Sequence, residues 1–304
     1  MLFRSRGPTT GDDSLHVGLD GVAVTSADRI VGLKPAYGWT NATADHVIAT
    51  IDVPSPGIHT VNVWMWEDGA VLDKLLLTTS AAIEPVGVGP VESPHTGAIL
   101  DFTGGFAGAT GLQLNGSAAV AGSSARLTNS GANQAGSVFS FGQVNVASFA
   151  TTFDFRLTSA VADGFAFVVQ GVGNTALGTA GEGLGYQGIG NSMAIKFDIF
   201  DNAGEGGNST GLYTNGQPLT TGGVDLSPSQ IDLHSGHDFR VSISYVGGTL
   251  RVTIRDLVSG ATALQSYAVD IPTLVGGNAA YVGFTGSTGG LTATQDVLNW
   301  GFWN

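Results

Sequence analysis

The chain contains no cysteine among its 304 residues. A disulfide framework, a thiolate nucleophile and a zinc–thiolate site are therefore excluded. Charged residues make up only 12% of the sequence, and the net charge is −13. Because nucleic acids and anionic membranes attract basic surfaces, this acidic balance argues against both as partners. The sequence also lacks an apolar run of about 18 residues, so we expect no transmembrane helix and no membrane insertion.

Glycine, by contrast, is abundant, with 47 residues, and apolar residues account for 42% of the chain. Together with frequent Thr, Ser and Val, this composition predicts many short strands and tight turns rather than helices. Strand-like alternation is continuous from residue 98 onward. Residues 239–245 and 250–255, for example, alternate cleanly around Gly247-Gly248, which is a strong hairpin signal. We therefore predict an all-β chain whose C-terminal part is a large antiparallel β-sandwich.

The N-terminal part is separated from this region by residues 81–97, which are rich in proline. Proline cannot join a central strand ladder, so we interpret this segment as a linker. Residues 1–80 hold four strand candidates, at 14–20, 46–52, 59–66 and 75–78. Four strands are too few to enclose the core of a stable, closed sandwich. The predicted domains are thus a truncated β-sandwich over 1–80 and a second domain over 98–304.

The first residues of the chain, MLFRSRGPTTGDDS, lack the apolar middle region of a signal peptide. The stretch LFRS is what the end of a common sequencing adapter encodes. We therefore expect residues 1–5 to be an assembly artefact, with the native chain and any export signal beginning upstream.

Residues 57–78 (GIHTVNVWMWEDGAVLDKLLLT) resemble the last hairpin of carbohydrate-binding-like jelly rolls attached to bacterial glycoside hydrolases. Residues 1–80 would then be the C-terminal half of such a domain. Trp39, in the turn-like segment PAYGWTNA, is a candidate platform for stacking on a sugar ring. The alternative for Trp39 is packing against neighbouring residues.

The most informative stretch is residues 191–216. Its first half alternates, which predicts a strand with two distinct faces. The loop at 201–208 (DNAGEGGN) follows, and its oxygen-bearing side chains and glycines suit a hard cation such as calcium, which takes six to eight oxygen ligands. An ordinary polar loop after a core strand is the alternative. The two predicted faces are Met193, Ile195, Phe197 and Ile199 on one side, and Ala194, Lys196, Asp198 and Phe200 on the other.

Four separated pieces of residues 98–304 resemble the legume-type lectin family, and its bacterial branch in particular. The resemblance implies a concanavalin A-like antiparallel β-sandwich (jelly roll), here preceded by a partial β-sandwich domain. The pieces, in the family's order, are 162–167 (ADGFAF), 181–185 (GEGLG), 194–202 (AIKFDIFDN) and 282–290 (VGFTGSTGG) with the closing 296–300 (DVLNW).

The resemblance also implies a sugar site. Asp163, joined to Ala162 by a cis peptide bond, would accept hydrogen bonds from sugar hydroxyls, an aromatic ring would stack on the pyranose, and an asparagine would donate to the sugar. A backbone N–H would come from Gly183 or a neighbour within 181–185, and the loop at 287–291 would set sugar choice. The carbohydrate-binding residues implied in this way are Asp163, Gly183, Phe200, Asn202, Gly290 and Leu291.

A calcium site is implied at the same place, with Asp198, the Phe200 carbonyl, Asn202 and Glu205 as ligands; Asp201 and Asn208 are alternatives to Glu205. Plant members of the family bind a transition metal beside the calcium, through a Glu and a His. Lys196 and Ser209 stand at those two positions here. A protonated amine cannot ligate a metal, so we expect one calcium and no transition metal. Lys196 would pair with Asp198 instead; the alternative is a surface lysine that points away.

Glycanases of related sandwiches need two carboxylates, one as nucleophile and one as acid, on one strand. The chain has five glutamates, and no two share a predicted strand of the second domain. No Ser-His-Asp order carries a nucleophile-elbow signature either. We therefore predict that the chain is not an enzyme.

The function predicted from the sequence is calcium-dependent carbohydrate binding by a lectin-like module of a larger secreted or cell-surface bacterial protein. Its partners would be a glycan or polysaccharide and the other domains of the parent polypeptide. One alternative is a structural or adhesion spacer without sugar binding. Another is an accessory domain of a glycoside hydrolase whose catalytic domain lies outside this sequence.

Overall fold

The computed structural model describes residues 1–7, 9, 14–54, 61–80, 83–90, 99–220 and 222–304. The chain divides into two compact units, Met1–Pro94 and His95–Asn304. In both units the described residues are mostly strands joined by turns. Across these ranges, no helix combines the length and the apolar character that crossing a membrane requires.

The described residues of the N-terminal unit form two three-stranded antiparallel sheets, ordered β4–β1–β6 and β3–β2–β5. A small apolar core that includes Phe3, Val17 and Ile30 is fully buried. The strands are β1 (Leu2–Arg6), β2 (Leu15–Leu19), β3 (Val22–Ala23), β4 (Gly38–Thr40), β5 (Val61–Met65) and β6 (Val71–Leu76).

Strand β1 lies in the centre of its sheet, between β4 and β6. Phe3 in β1 is fully buried, and the ammonium group of Met1 donates to the carbonyl of Ala49 at 2.9 Å. Residues 1–5, which the sequence analysis interprets as an assembly artefact, thus contribute a central strand to the N-terminal unit. The strand predicted at 46–52 is also wrong, because this segment makes only an isolated bridge, Ala42 to Ile48.

The linker predicted at 81–97 is described only at residues 83–90. This part binds back onto the N-terminal unit, since the Gly87 carbonyl accepts from Trp39 Nε1 at 3.2 Å and from Arg4 Nε at 3.0 Å. Gly89 lies so close to the Trp39 ring that an added Cβ would overlap it. Trp39 is half-buried under this turn, which favours packing over the sugar platform.

The C-terminal unit consists of two eight-stranded antiparallel sheets. The first is ordered β20–β19–β18–β13–β22–β10–β9, with β7 beside β22; the second is ordered β17–β16–β15–β14–β21–β11–β8, with β12 beside β21. Alternating side chains of both sheets form one core rich in phenylalanine. Ring centroids lie 4.7 Å apart for Phe165 and Phe197, and 4.8 Å apart for Phe153 and Phe284. The predicted concanavalin A-like sandwich is confirmed.

The hairpin predicted around Gly247-Gly248 is present in this unit, which also has short strands and one short helix that the sequence patterns did not reveal. The elements of the unit are β7 (Leu100–Phe102), β8 (Leu112–Gly116), β9 (Ala119–Ala121), β10 (Ser124–Asn129), β11 (Ala135–Ser140), β12 (Val144–Asn145), β13 (Phe149–Thr158), β14 (Gly164–Gln170), β15 (Ser192–Asp198), β16 (Ser209–Thr214), β17 (Val224–Asp225), β18 (Asp238–Val246), β19 (Thr249–Asp256), β20 (Thr262–Ala268), α1 (Ile271–Val275), β21 (Ala279–Ser287) and β22 (Thr294–Trp303).

Strand β15 is buried on both faces. One face enters the main core, as the alternation predicted. The other face packs under a second apolar cluster formed by loop residues such as Leu184, Tyr186, Ile189 and Leu219. This loop layer is the reason that Lys196, on the outer face of the sheet, is completely buried.

Antiparallel register brings three strand ends to one edge of the second sheet. Gly164, the first residue of β14, pairs with Asp198 at the end of β15 and with Ser287 at the end of β21. Gly164 has φ +135°, and a Cβ there would collide with the Phe197 carbonyl. A glycine is therefore required where these strands meet. The loops that leave this edge form the candidate site.

Candidate functional site

A pocket of ≈ 380 Å³ opens at this edge. Of the predicted sugar-binding residues, Asp163, Phe200, Asn202, Gly290 and Leu291 line it. The remaining lining residues are Ala162, Ala180, Gly181, Glu182 and Gly289.

Asp163 directly precedes β14, after the expected cis Ala162–Asp163 peptide. Its main chain is held on both sides, since its N–H donates to Ser287 O at 3.3 Å and its carbonyl accepts from Ile199 N at 2.9 Å. The side chain is only 4% exposed, and Oδ2 has no hydrogen-bond partner. Burial raises the pKa of Asp163, the nearby Gly289 N–H lowers it, and the charge of Glu182 raises it further. The site thus presents a buried hydrogen-bond acceptor that the protein leaves unsatisfied.

The glycine-rich piece forms a 3₁₀ turn, Gly181–Gly183, clamped to the end of β21. Gly181 N donates to Thr288 O at 3.2 Å, and Ser287 Oγ donates to Gly181 O at 2.8 Å. Gly183 lies behind the pocket, where it is buried and its N–H donates to Ala180 O at 3.4 Å. The residues of this piece that line the pocket are instead Gly181 and Glu182.

The loop at 287–291 approaches Asp163 through a second glycine. A Cβ on Gly289 would lie 3.2 Å from Asp163 Oδ2 and 3.6 Å from the Gly181 Cα, so a larger residue would crowd the carboxylate. The loop is fastened on its other side by Asn133, whose N–H donates to Gly289 O at 2.8 Å. Its tip, Leu291, is 48% exposed and can contact a ligand.

Asp198 is the last residue of β15, and both oxygens of its buried carboxylate accept hydrogen bonds. Oδ2 accepts from Lys196 Nζ at 2.9 Å, and Oδ1 accepts from Phe200 N at 3.1 Å. Lys196 Nζ also donates to Leu219 O at 2.7 Å and lies 5.3 Å from the Tyr213 ring centroid. The predicted Lys196–Asp198 pair is present, and a surface lysine pointing away is ruled out by its burial.

The Lys196 ammonium does not fully offset the energetic cost of burying the Asp198 carboxylate. Burial raises the pKa of Asp198 to about 6, the Lys196 ammonium and the Phe200 N–H act against this rise, and Glu205 adds to it. Asp198 and Glu205 therefore sense each other's negative charge, while Lys196 offsets one of the two charges.

The loop after Phe200 is held together by hydrogen bonds from its backbone N–H groups to its own carboxylates. Glu205 accepts from Asn202 N at 3.0 Å and from Ala203 N at 2.7 Å, and Asp201 accepts from Gly204 N. Asn208 is used structurally, because its Nδ2 donates to Ile231 O at 2.7 Å and its Oδ1 accepts from Leu233 N at 3.1 Å. Of the three candidates for the last calcium ligand, Asn208 is therefore disfavoured.

These residues carry oxygen atoms of the kind that a hard cation binds. Within the described ranges no three His, Asp or Glu side chains gather as a metal-binding group, so a cation here would need carbonyl and amide oxygens as well. Asp198, Glu205, the Phe200 carbonyl and Asn202 offer that mixed oxygen set, which suits calcium. At one of the two positions where the resemblance places ligands of a transition metal, this chain has the buried Lys196 ammonium. Ser209 Oγ, at the other position, is also buried and has no hydrogen-bond partner.

Two supporting residues escaped the sequence patterns. Glu182 lines the pocket, although the glycine motif was read only for its backbone. His234 lies 3.0 Å, through Nε2, from the carbonyl of Ile199, next to Phe200. The signal for His234 is weak, because its partner is 35 residues away along the chain.

Replacing Asn208 by alanine is expected to lower the free energy of unfolding by about 2–3 kcal/mol, because the Ile231 carbonyl and the Leu233 N–H lose their partner. Urea unfolding measures this difference. Asn278→Ala is the matched control: Asn278 is exposed, and its loss should change stability by less than about 0.5 kcal/mol. Equal effects of the two substitutions would contradict the anchoring role of Asn208.

Comparison with known proteins agrees with this geometry. The family model described as the legume lectin domain matches residues 101–304. The model described as the glycosyl hydrolase family 115 C-terminal domain matches residues 5–92. Both matches confirm the resemblances that the sequence motifs indicated.

Two individual relatives each match about half of the chain. An L-type lectin-domain containing receptor kinase VIII.1 of Arabidopsis thaliana is 31% identical over 169 residues, 51% of this chain and 23% of that protein. Favin of Vicia faba is 30% identical over 173 residues, 52% of this chain and 71% of favin. The chain therefore spans less than a quarter of the receptor kinase.

Among solved structures, arcelin-5, a lectin-like defense protein from Phaseolus vulgaris, superimposes with a TM-score of 0.53 at 26% identity. The match covers 63% of this chain and 91% of arcelin-5. Since the legume lectin domain model covers more than half of the sequence, the chain belongs to the legume lectin domain family.

Proposed function

We propose that the chain is a non-catalytic, calcium-dependent carbohydrate-binding module of a larger bacterial protein that is secreted or held at the cell surface. The observation that carries the proposal is Asp163, whose Oδ2 is a buried acceptor without a partner and which lines a pocket together with an aromatic residue and an asparagine. A sugar hydroxyl is a suitable donor for such an oxygen, because hydrogen bonds to a carboxylate are short and strong.

The neighbouring residues complete the contacts of a pyranose ring. Phe200, which is half-buried, offers a ring face for the apolar C–H side of the sugar. The Asn202 amide, exposed at the rim, donates to a second hydroxyl. Gly181 and Gly289 keep the floor free of side chains, so that the sugar can approach Asp163. Exchange of the loop at 289–291 would alter sugar choice, because Leu291 stands at the open side.

Calcium would be held by Asp198, the Phe200 carbonyl, Asn202 and Glu205. When bound, it supplies positive charge that orders the loop and fixes the Asn202 amide toward the sugar. Lys196 would take the place of a second cation, so that this module needs one metal. A lone shallow site of this kind binds weakly, and neighbouring modules of the parent protein would supply avidity.

A glycan array probed in calcium and again in chelator tests the proposal. We expect binding to a restricted set of glycans in calcium, and its loss in chelator with recovery when calcium is restored. Thermal unfolding in the same two buffers should show a higher Tm with calcium, because a ligand that binds only the folded state stabilises it. Magnesium at the same concentration is the matched control, since it prefers a tighter octahedral site.

The results separate three functions. A Tm that is unchanged by chelation would refute the calcium site. A calcium-dependent Tm with an empty array would favour a structural or adhesion spacer. Glycan binding that survives in chelator would retain the lectin function and remove its dependence on calcium.

A second candidate function is favoured by the match of residues 5–92 to the glycosyl hydrolase family 115 C-terminal domain. In this candidate the chain is an accessory region of a glycoside hydrolase whose catalytic domain lies elsewhere in the parent protein. The gene sequence upstream of this chain tests it, because a hydrolase domain encoded in the same reading frame is the expected finding. An upstream frame without such a domain would refute it.

A further inference from the structure

The pocket carries ionisable side chains of only one sign. Of the ten described residues that line it, two are ionisable, Asp163 and Glu182, and both are acidic. The buried Lys196, two residues before Asp198, does not line the pocket. Its ammonium group donates to Asp198 and to the Leu219 carbonyl instead. The side chains that line the pocket therefore contribute only negative charge.

The two carboxylates differ in a way that suits a ligand. Asp163 is only 4% exposed and its Oδ2 lacks a partner, so it is a fixed acceptor in the floor. Glu182 is exposed at the rim, on a turn that Gly181 fastens to Ser287 and Thr288. Because Glu182 raises the pKa of Asp163, the two negative charges repel each other across the pocket.

We propose that the pocket discriminates sugars by charge: it prefers amino sugars to their neutral parents and rejects uronic acids, with Glu182 as the residue that determines this preference. The inference rests on the proposed carbohydrate-binding function of the same pocket. A sugar ammonium placed between the two carboxylates relieves their repulsion and can donate to Asp163 Oδ2 or to Glu182. A uronate brings a third negative charge into the same space, which costs binding energy.

Ligand-observed NMR titration in calcium tests the inference with two matched sets of sugars. The sets are glucosamine, glucose and glucuronate, and galactosamine, galactose and galacturonate, measured below the usual pKa of an amine. In the set that binds, we expect the amino sugar to bind about three to five times more tightly than the neutral sugar, the range of an exposed ion pair. The uronate should bind more weakly than the neutral sugar, and added salt should reduce both differences.

Glu182→Gln is the informative variant, because Glu182 is exposed and its substitution leaves the fold intact. It should bring the ratio of amino-sugar to neutral-sugar affinity, and the ratio of uronate to neutral-sugar affinity, toward one. Glu84→Gln, which removes the same charge from the exposed surface of the N-terminal unit, should preserve the discrimination.

The outcomes distinguish the two proposals. Binding of the neutral sugar with the same charge preference in wild type and Glu182→Gln overturns this inference and leaves the carbohydrate-binding function standing. A uronate that binds as tightly as its neutral parent does the same. Absence of binding for all six sugars and on the glycan array overturns both.

Discussion

Substitution of Lys196 by methionine should lower the free energy of unfolding of the C-terminal unit by about 3–5 kcal/mol. The ammonium group is completely buried and is bonded to Asp198 Oδ2 at 2.9 Å and to Leu219 O at 2.7 Å. Methionine fills a similar volume but leaves the Asp198 carboxylate buried without a cation. The cost comes mostly from this orphaned charge rather than from the lost attraction, because a buried ion pair gains little over an apolar pair.

Thermal unfolding in chelator measures the effect without a contribution from calcium. The expected loss corresponds to a Tm decrease of roughly 6–20 °C for a unit of this size. Lys34→Met, at an exposed lysine of the N-terminal unit, is the matched control and should leave the Tm of the C-terminal unit unchanged. The double variant Lys196→Met/Asp198→Asn should recover about 2 kcal/mol relative to the sum of the single variants, because the two residues contact each other. Additive effects would show that the pair contributes no coupling.

For Asp163→Asn, the second large effect, we expect glycan affinity to fall about 10- to 100-fold, the value of a hydrogen bond to a charged acceptor. Stability should remain the same or rise slightly. Oδ2 has no partner inside the protein, and burial raises the pKa of this carboxyl group, so the folded state gains little from the charge. A neutral amide of the same shape removes that cost, and it replaces the charged acceptor with a weaker carbonyl acceptor and an N–H donor.

Asp154→Asn provides the opposite control. Asp154 is also buried, at 6% exposure, but it is paired with Arg240 through bonds of 2.8 and 2.9 Å. This variant should lose stability and keep glycan binding, whereas Asp163→Asn should keep stability and lose binding. Glycan titration measures the affinity of both variants, and urea unfolding measures their stability. If Asp163→Asn loses as much stability as Asp154→Asn, Asp163 has a structural role instead.

Most long strands of the C-terminal unit were predictable because their side chains alternate between a core face and an outer face. Short strands such as β12 and β17 were not, since two residues carry no period. The N-terminal unit was predicted less well. Residues 46–52 alternate like a strand but make only an isolated bridge, and β1 was discounted although Phe3 fills the centre of the core.

The site shows the same division between local and distant information. Asp163, Phe200 and Asn202, which line the pocket, could be selected from the sequence because each stands in a short motif at a strand end. Gly183 was selected from such a motif, but the turn at 181–183 directs it inward and leaves Gly181 and Glu182 at the pocket. His234 could not be identified, because its bond to the Ile199 carbonyl spans 35 residues.

The amino-acid sequence by itself determined the all-β class, the legume lectin family and the strand ends that carry the chemistry, because alternation and motif order are local properties of the chain. It also indicated that Lys196 would meet Asp198, since residues two apart on a strand share a face. Only the tertiary structure decided that this pair is fully buried, because the loop layer over β15 comes from distant segments. It likewise decided that Asp163 and Glu182 share one pocket, since the register of β14, β15 and β21 brings their loops together.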